Sequence, residues 1–355
     1  MARIIAMLNQ KGGVGKTTTT VNLGAALAEA GQRVCLIDLD PQAHLTLHLG
    51  IDAQRIQRTM YDLLIDPECY ATDALIGGAR QNLDALLAET DLAAAETELA
   101  AIEHRQSILR EKFGSLAEAY DFVIIDCPPS LGLLTLNALS LAKEVFVPMQ
   151  AHFLALQGVG KLLETVGLVC QSMNPDLRVT GIVLCMHEQQ TTLAREIVAD
   201  LDAFFAEAST QNVPWNACRV MRPAIRRNVK LAEAPSFGKT IFDYEPACPG
   251  AHDYRMLARH VMGIEDAPVV NEVKSAARPA SMGPSKTPSP RGGATIEAKP
   301  ALTSVPMMSE ATAEPAAWIT NQAAAINARP EALASEMIVP ASKSHAGPRR
   351  REPGL

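Results

Sequence analysis

The 355-residue chain sets 32 lysines and arginines against 39 aspartates and glutamates, a formal charge of −7, and is 48% hydrophobic. Such a chain suits a soluble globular protein of one large or two small domains, and its acidic balance excludes wholesale coating of nucleic acid while leaving room for a local basic patch. Seven cysteines without a CxxC pair exclude a disulfide framework and a zinc site, and no run approaches the ~20 apolar residues of a membrane span.

Arg3–Asn9 predicts a first strand rather than a targeting segment, because it runs directly into a glycine-rich loop. That loop, Gly12-Gly13-Val14-Gly15-Lys16-Thr17-Thr18, opens a helix predicted over Thr17–Ala30. Strand, loop and helix in that order are the setting of a phosphate-binding P-loop. Glycines let successive backbone N–H groups turn inward around phosphate oxygens, and the helix N-terminus adds positive potential at the same place. Lys16 is expected to reach the β and γ phosphates, Thr17 to ligate Mg2+, and Thr18 to bond the α phosphate.

Arg33–Asp38 predicts the second strand, ending in Asp38-Leu39-Asp40-Pro41. Glu98–Tyr120 reads as a helix. Asp121–Asp126 reads as an apolar strand that stops at Cys127-Pro128-Pro129, since two prolines cannot continue a ladder. Asp126 stands where P-loop enzymes carry their second magnesium-side acid. Helices over Gly132–Ala142, Leu156–Met173 and Thr192–Ala206 then alternate with strands over Glu144–Gln150 and Thr180–Met186. The alternation predicts an α/β fold, a mostly parallel twisted sheet with helices on both faces. Ligands of such sheets bind beyond the carboxyl ends of the strands, where three of these loops carry the chemistry.

After Gly263 the composition turns to Pro, Ala, Ser and Thr. The expected division is a P-loop domain over 1–264 and a disordered tail over 265–355, with a transient helix over Trp318–Met337.

One loop feature departs from the common P-loop pattern: Gln10-Lys11 replaces its first glycine and places a second lysine beside the phosphates. Asn9-Gln10-Lys11-Gly12-Gly13-Val14-Gly15-Lys16-Thr17-Thr18 resembles the deviant P-loop of the ParA/MinD superfamily. Two further stretches, Pro148–Gly158 and Asn228–Lys239, resemble its ParA/Soj branch of DNA-partition ATPases, as does the segment from Asn82 to Ala93. The resemblance spans residues 2–264. It implies an ATP-dependent homodimer in which Lys11 crosses to the partner's ATP, acting as an arginine finger does in trans. It also implies that Asp40 orients the attacking water, that Asp38 supports Mg2+ through a water, and that Pro235 borders the adenine. Non-specific DNA and a ParB-type adaptor are the implied partners, and a cytoplasmic, nucleoid-associated location follows.

For DNA, Arg219, Arg222, Arg226, Arg227 and Lys230 cluster before the Pro235 loop, and a helix beginning near Pro223 would align Arg219, Arg222, Arg226 and Lys230 on one face. Arg222, Arg226, Arg227 and Lys230 are the expected DNA contacts. A family arginine implicated in DNA contact is replaced here by Gln190. A positioner of a protein cargo, using the same ATPase cycle, is the alternative. A MinD-like membrane ATPase would need a terminal amphipathic helix, which the proline-bearing segment around Arg349-Arg350-Arg351 does not suggest.

Overall fold

A computed structural model describes residues 1–51, 56–188 and 190–264, with the backbone alone over 153–157. The expected tail, its helix and the Arg349–Arg351 run lie outside the described residues.

Eight strands form one sheet: β1 (Arg3–Met7), β2 (Val34–Asp38), β3 (Leu75–Arg80), β4 (Leu83–Leu86), β5 (Phe122–Asp126), β6 (Glu144–Met149), β7 (Arg178–Leu184) and β8 (Arg219–Val220). Their spatial order is β3-β4-β2-β5-β1-β6-β7-β8, and only the β3–β4 pair is antiparallel. Every residue of β2 and of β5 is buried, as expected of central strands covered on both faces. Along β1 the side chains alternate, Ile4 and Ala6 entering one apolar layer and Ile5 and Met7 the other.

One layer packs α1 (Lys16–Glu29) against α12 (Pro249–Val261), beside α10 (Val229–Glu233) and α11 (Ile241–Tyr244). The other holds α3 (Met60–Ile65), α5 (Leu92–Leu99), α6 (Ile108–Phe113), α7 (Leu133–Leu141), α8 (Phe153–Ser172) and α9 (Thr192–Ala208). In α9, Ala194, Ile197, Leu201, Phe205 and Ala208 recur at helical spacing and are the buried face, while Thr191 caps the start by accepting from the Ala194 N–H. Short helices α2 (His44–His48) and α4 (Ala71–Ala74) complete the set.

Two expectations are corrected and one strand is added. The helix over Glu98–Tyr120 is broken into α5, a run of turns containing His104 at φ 55°, α6, and a 3-10 turn at Leu116–Ala119. The hairpin arm β3 leaves no strand pattern in the sequence, because Gly77 and Gly78 interrupt its alternation. The basic stretch 219–230 is not a helix with one charged face. The Met221 and Ile225 N–H groups donate to the Ile182 and Leu184 carbonyls, which keeps the chain extended beside β7, and a helix forms only at Val229 after the Asn228 cap.

Candidate nucleotide site

The three central strands end side by side. Met7 and Asp126 are register partners, as are Asp38 and Asp126, so the loops after β1, β2 and β5 leave one edge together. Gly15 stands at the start of α1 with φ 97°, a backbone conformation that favours glycine, and a Cβ there would press on the Cys185 side chain at 3.3 Å. The loop is braced from outside. Asn9 Nδ2 donates to the Pro148 carbonyl, Asn9 Oδ1 accepts from the Lys11 N–H, and Gln150 Nε2 donates to the Gly13 carbonyl at 3.3 Å.

Beneath the loop lies an acidic group. Asp38 and Asp126 are fully buried, Asp40 and Lys16 nearly so. Thr17 Oγ1 donates to Asp126 Oδ2 at 2.6 Å, and Thr20 Oγ1 to Oδ1 at 3.3 Å. Asp38 accepts from the Asp40 N–H, the Thr46 N–H and the Thr46 hydroxyl, so both its oxygens brace the turn that carries Asp40. Asp40 in turn accepts from the Gln42 N–H at 3.0 Å. Burial, and then the facing Asp126, raise the Asp38 carboxyl well above the usual range, and burial raises Asp126 against the pull of Thr17 and Lys16. Burial and mutual crowding, with Asp40 adding its charge and Lys16 near Asp126 alone, hold protons on the Asp38 and Asp126 carboxyls that a bound cation would displace. Among the described residues no three His, Cys, Asp or Glu converge as an all-protein metal cage. That arrangement fits Mg2+, which is held through one or two oxygen ligands plus substrate phosphates.

Above these groups opens a cavity of about 530 Å³ lined by Gly12, Gly13, Lys16, Thr17, Asp40 and Pro235 among others. Its wall turns apolar at Met186, whose φ of 49° is unusual for a side-chain-bearing residue. Met186, Gly15 and Thr18 also line a second cavity of about 350 Å³, together with Ile225, Leu231 and Tyr254. Lys11 is not part of the larger cavity. It is exposed, and its ammonium lies 2.6 Å from His152 Nε2.

On the far side of the site, α2 and the Ala234–Phe237 turn are joined where Gly50 and Gly238 cross. Both have positive φ, and a Cβ on Gly50 would lie 2.4 Å from the Gly238 carbonyl oxygen. His48, buried in α2, hydrogen-bonds to the Lys239 backbone.

Known proteins share this architecture. The AAA domain family matches residues 2–179. The sporulation initiation inhibitor protein Soj of Bacillus subtilis is 42% identical over 261 residues, covering 74% of this chain and 98% of that protein. The chromosome-partitioning ATPase Soj of Thermus thermophilus is 46% identical, over 73% of this chain and 95% of its own. The chain belongs to the Soj/ParA family. Among solved structures, a cobyrinic acid a,c-diamide synthase from Mycobacterium smegmatis, with bound ATP analogue and magnesium, superposes with a TM-score of 0.60 at 36% identity, covering 74% of this chain and 95% of that one.

The expected DNA contacts of this family member are all engaged in ion pairs: Arg222 with Asp202 at 2.8 Å, Arg227 with Glu188 at 2.6 Å and Lys230 with Glu233 at 2.9 Å. Arg226 differs from these, because its partner Asp253 is buried in α12. Gln190 is exposed just before α9. Sequence reasoning missed Asn9, Thr46, Gln150 and Asp253. Gln150 and His152 lie inside a stretch that carries the family resemblance, but no local pattern shows that they touch the P-loop. Among the described residues no helix is long and apolar enough to cross a membrane.

Proposed function

We propose that this chain is an ATP-hydrolysing, ATP-dependent dimer that holds non-specific DNA and drives chromosome or plasmid partition with a ParB-type adaptor. One observation carries the reading. The two lysines of one loop face different ways: Lys16 is buried over the acids and lines the cavity, whereas Lys11 stands outside it on an exposed edge. A lysine so placed stands away from its own phosphates, and only its His152 contact has to be exchanged for it to serve those of a second copy.

In this reading the triphosphate occupies the larger cavity, with Lys16 as its fixed counter-charge and the N–H groups of Gly12 to Thr18 around it. The base rests where the wall turns apolar, at Met186 and Pro235. Thr17 and Asp126 would hold Mg2+, with Asp38 supporting the ion through a water. The ion, when bound, neutralises charge on the β and γ oxygens. Asp40, carried on the turn that Asp38 braces, orients the attacking water, and Lys11 from the partner steadies the charge on the transferring phosphoryl group. Closure brings two basic regions together on one DNA. Arg222, Arg227 and Lys230 exchange exposed acidic partners for phosphates at little cost, since surface pairs are worth about 0–1 kcal/mol. Arg226 frames the region. If each protomer neutralises ~3 phosphates, the dimer's log–log salt slope is roughly −5. The protein would act in the cytoplasm on the nucleoid.

Co-sedimentation with random-sequence DNA tests this in ATP, in ADP and without nucleotide. DNA retention only with ATP is expected, together with a dimer on sizing. Lys11→Ala should bind ATP as a monomer and lose the DNA. A stable ATP dimer of Lys11→Ala would refute the cross-subunit role. Retention of an unrelated cargo complex in place of DNA would favour the protein-cargo alternative.

A further inference from the structure

His152 stands at the start of α8, half-buried, with Nε2 at 2.6 Å from the Lys11 ammonium. An ammonium has donors only, so Nε2 accepts, and the imidazole is neutral with its proton on Nδ1. The same His152 lines a cavity of about 270 Å³ with His187, Glu188 and Arg227. Glu188 and Arg227 pair with each other at 2.6 Å and largely cancel. His187 has a buried Nδ1 without a partner, and burial followed by Arg222 makes it a weaker base than usual. Residues 153–157 of α8 carry no titratable group. Lys11 is therefore the uncancelled charge at this imidazole, and burial, then Lys11, lower its basicity.

We infer that His152 is a positioning residue that holds Lys11 on its own protomer while neutral and takes up a proton when Lys11 leaves for the nucleotide of a second copy. The inference rests on the dimer proposed above. When the ammonium departs, the lone pair it occupied is released and the repulsion that kept a proton off the ring disappears. Any group that gains proton affinity in one state makes that state more favourable as pH falls. Uptake is bounded at one proton per protomer, so acid strengthens the ATP dimer, and a side chain that accepts a hydrogen bond without titrating removes the effect.

Two measurements on the full chain decide this. In nucleotide-free protein, the His152 ring signal, assigned by its loss in His152→Gln, should titrate at higher pH in Lys11→Met than in wild type. An unchanged titration overturns the pairing. Sedimentation equilibrium with MgATP between pH 7.5 and pH 6.0 should then show the wild-type association constant rising at least about threefold. His152→Gln should stay flat over the same range, since its amide accepts but does not titrate. Equal slopes in the two proteins, or a wild-type dimer weakened by acid, overturn the inference while leaving the dimer intact. Absence of any ATP dimer instead refutes the proposed function, and the handover with it.

Discussion

Arg226 forks onto the buried Asp253 carboxylate, donating from Nε at 2.9 Å to one oxygen and from Nη2 at 2.7 Å to the other, while its own N–H donates to Oδ2 at 3.0 Å. The pair ties the loop after β8 to α12, beneath the region proposed to meet DNA. Arg226→Ala should therefore destabilise the fold by about 2 kcal/mol, because hydrogen bonds to a charged group disappear and the carboxylate stays buried. Arg226→Lys should restore only part, since an ammonium cannot supply the fork. Urea unfolding measures both. The double variant Arg227→Ala with Lys230→Ala should shift stability by under about 1 kcal/mol and lower the DNA salt slope by about 0.9 for each phosphate left unneutralised. An unaltered slope in that variant removes these residues from the DNA interface.

Lys16→Ala should abolish ATP binding, measured by calorimetry, because the phosphates would lose the fixed counter-charge proposed for them in the cavity that Lys16 lines. Asp40→Ala should keep ATP and accumulate a dimer that hydrolyses poorly, as the groups around the phosphates survive and the water-orienting acid does not. Normal turnover by Asp40→Ala would remove its assigned role.

Gly238→Ala should cost on the order of 2–4 kcal/mol in thermal or urea unfolding. The φ of 58° is unfavourable for any Cβ, and the methyl would sit 2.6 Å from the Gly50 Cα, a backbone atom that cannot rotate away. Gly31→Ala is the control for the first effect alone, since it shares a positive φ but opens into space.

Stability should fall in mild acid through His48. Burial lowers its pKa to about 4, against about 6.5 in an unfolded chain. The stabilising contribution is whole above pH 6.5. Below it the unfolded ensemble binds the proton first, so stability is lost as pH falls towards 4, by on the order of 2–3 kcal/mol. The urea midpoint of the wild type, taken relative to that of His48→Gln, should fall from pH 7 to pH 4.5, since the glutamine has no proton to gain and the raised Asp38 and Asp126 carboxyls act alike in both proteins.

The parts legible in the sequence were those with a short chemical signature. The P-loop, the Asp38 and Asp126 strand ends and four strand–helix alternations are each carried by consecutive residues, and the central strands β2 and β5 are apolar up to their terminal aspartates. What escaped depends on residues far apart in the chain. Asp253 is drawn to Arg226 by tertiary packing, not by spacing, and Thr46 finds Asp38 only because α2 folds back over the strand end. The arginines before the Pro235 loop read as a helical face because charge spacing carries no record of the β7 carbonyls that claim the backbone there.

All seven cysteines are buried, and Cys35, Cys127, Cys170, Cys185 and Cys218 have thiols held by burial above their ordinary basicity. The native protein thus presents almost no thiolate to a maleimide or an aromatic disulfide reagent. An engineered surface cysteine would be labelled alone, without first deleting the natural ones. The native thiols would serve as a clock, each reacting only as fast as its own part of the structure opens.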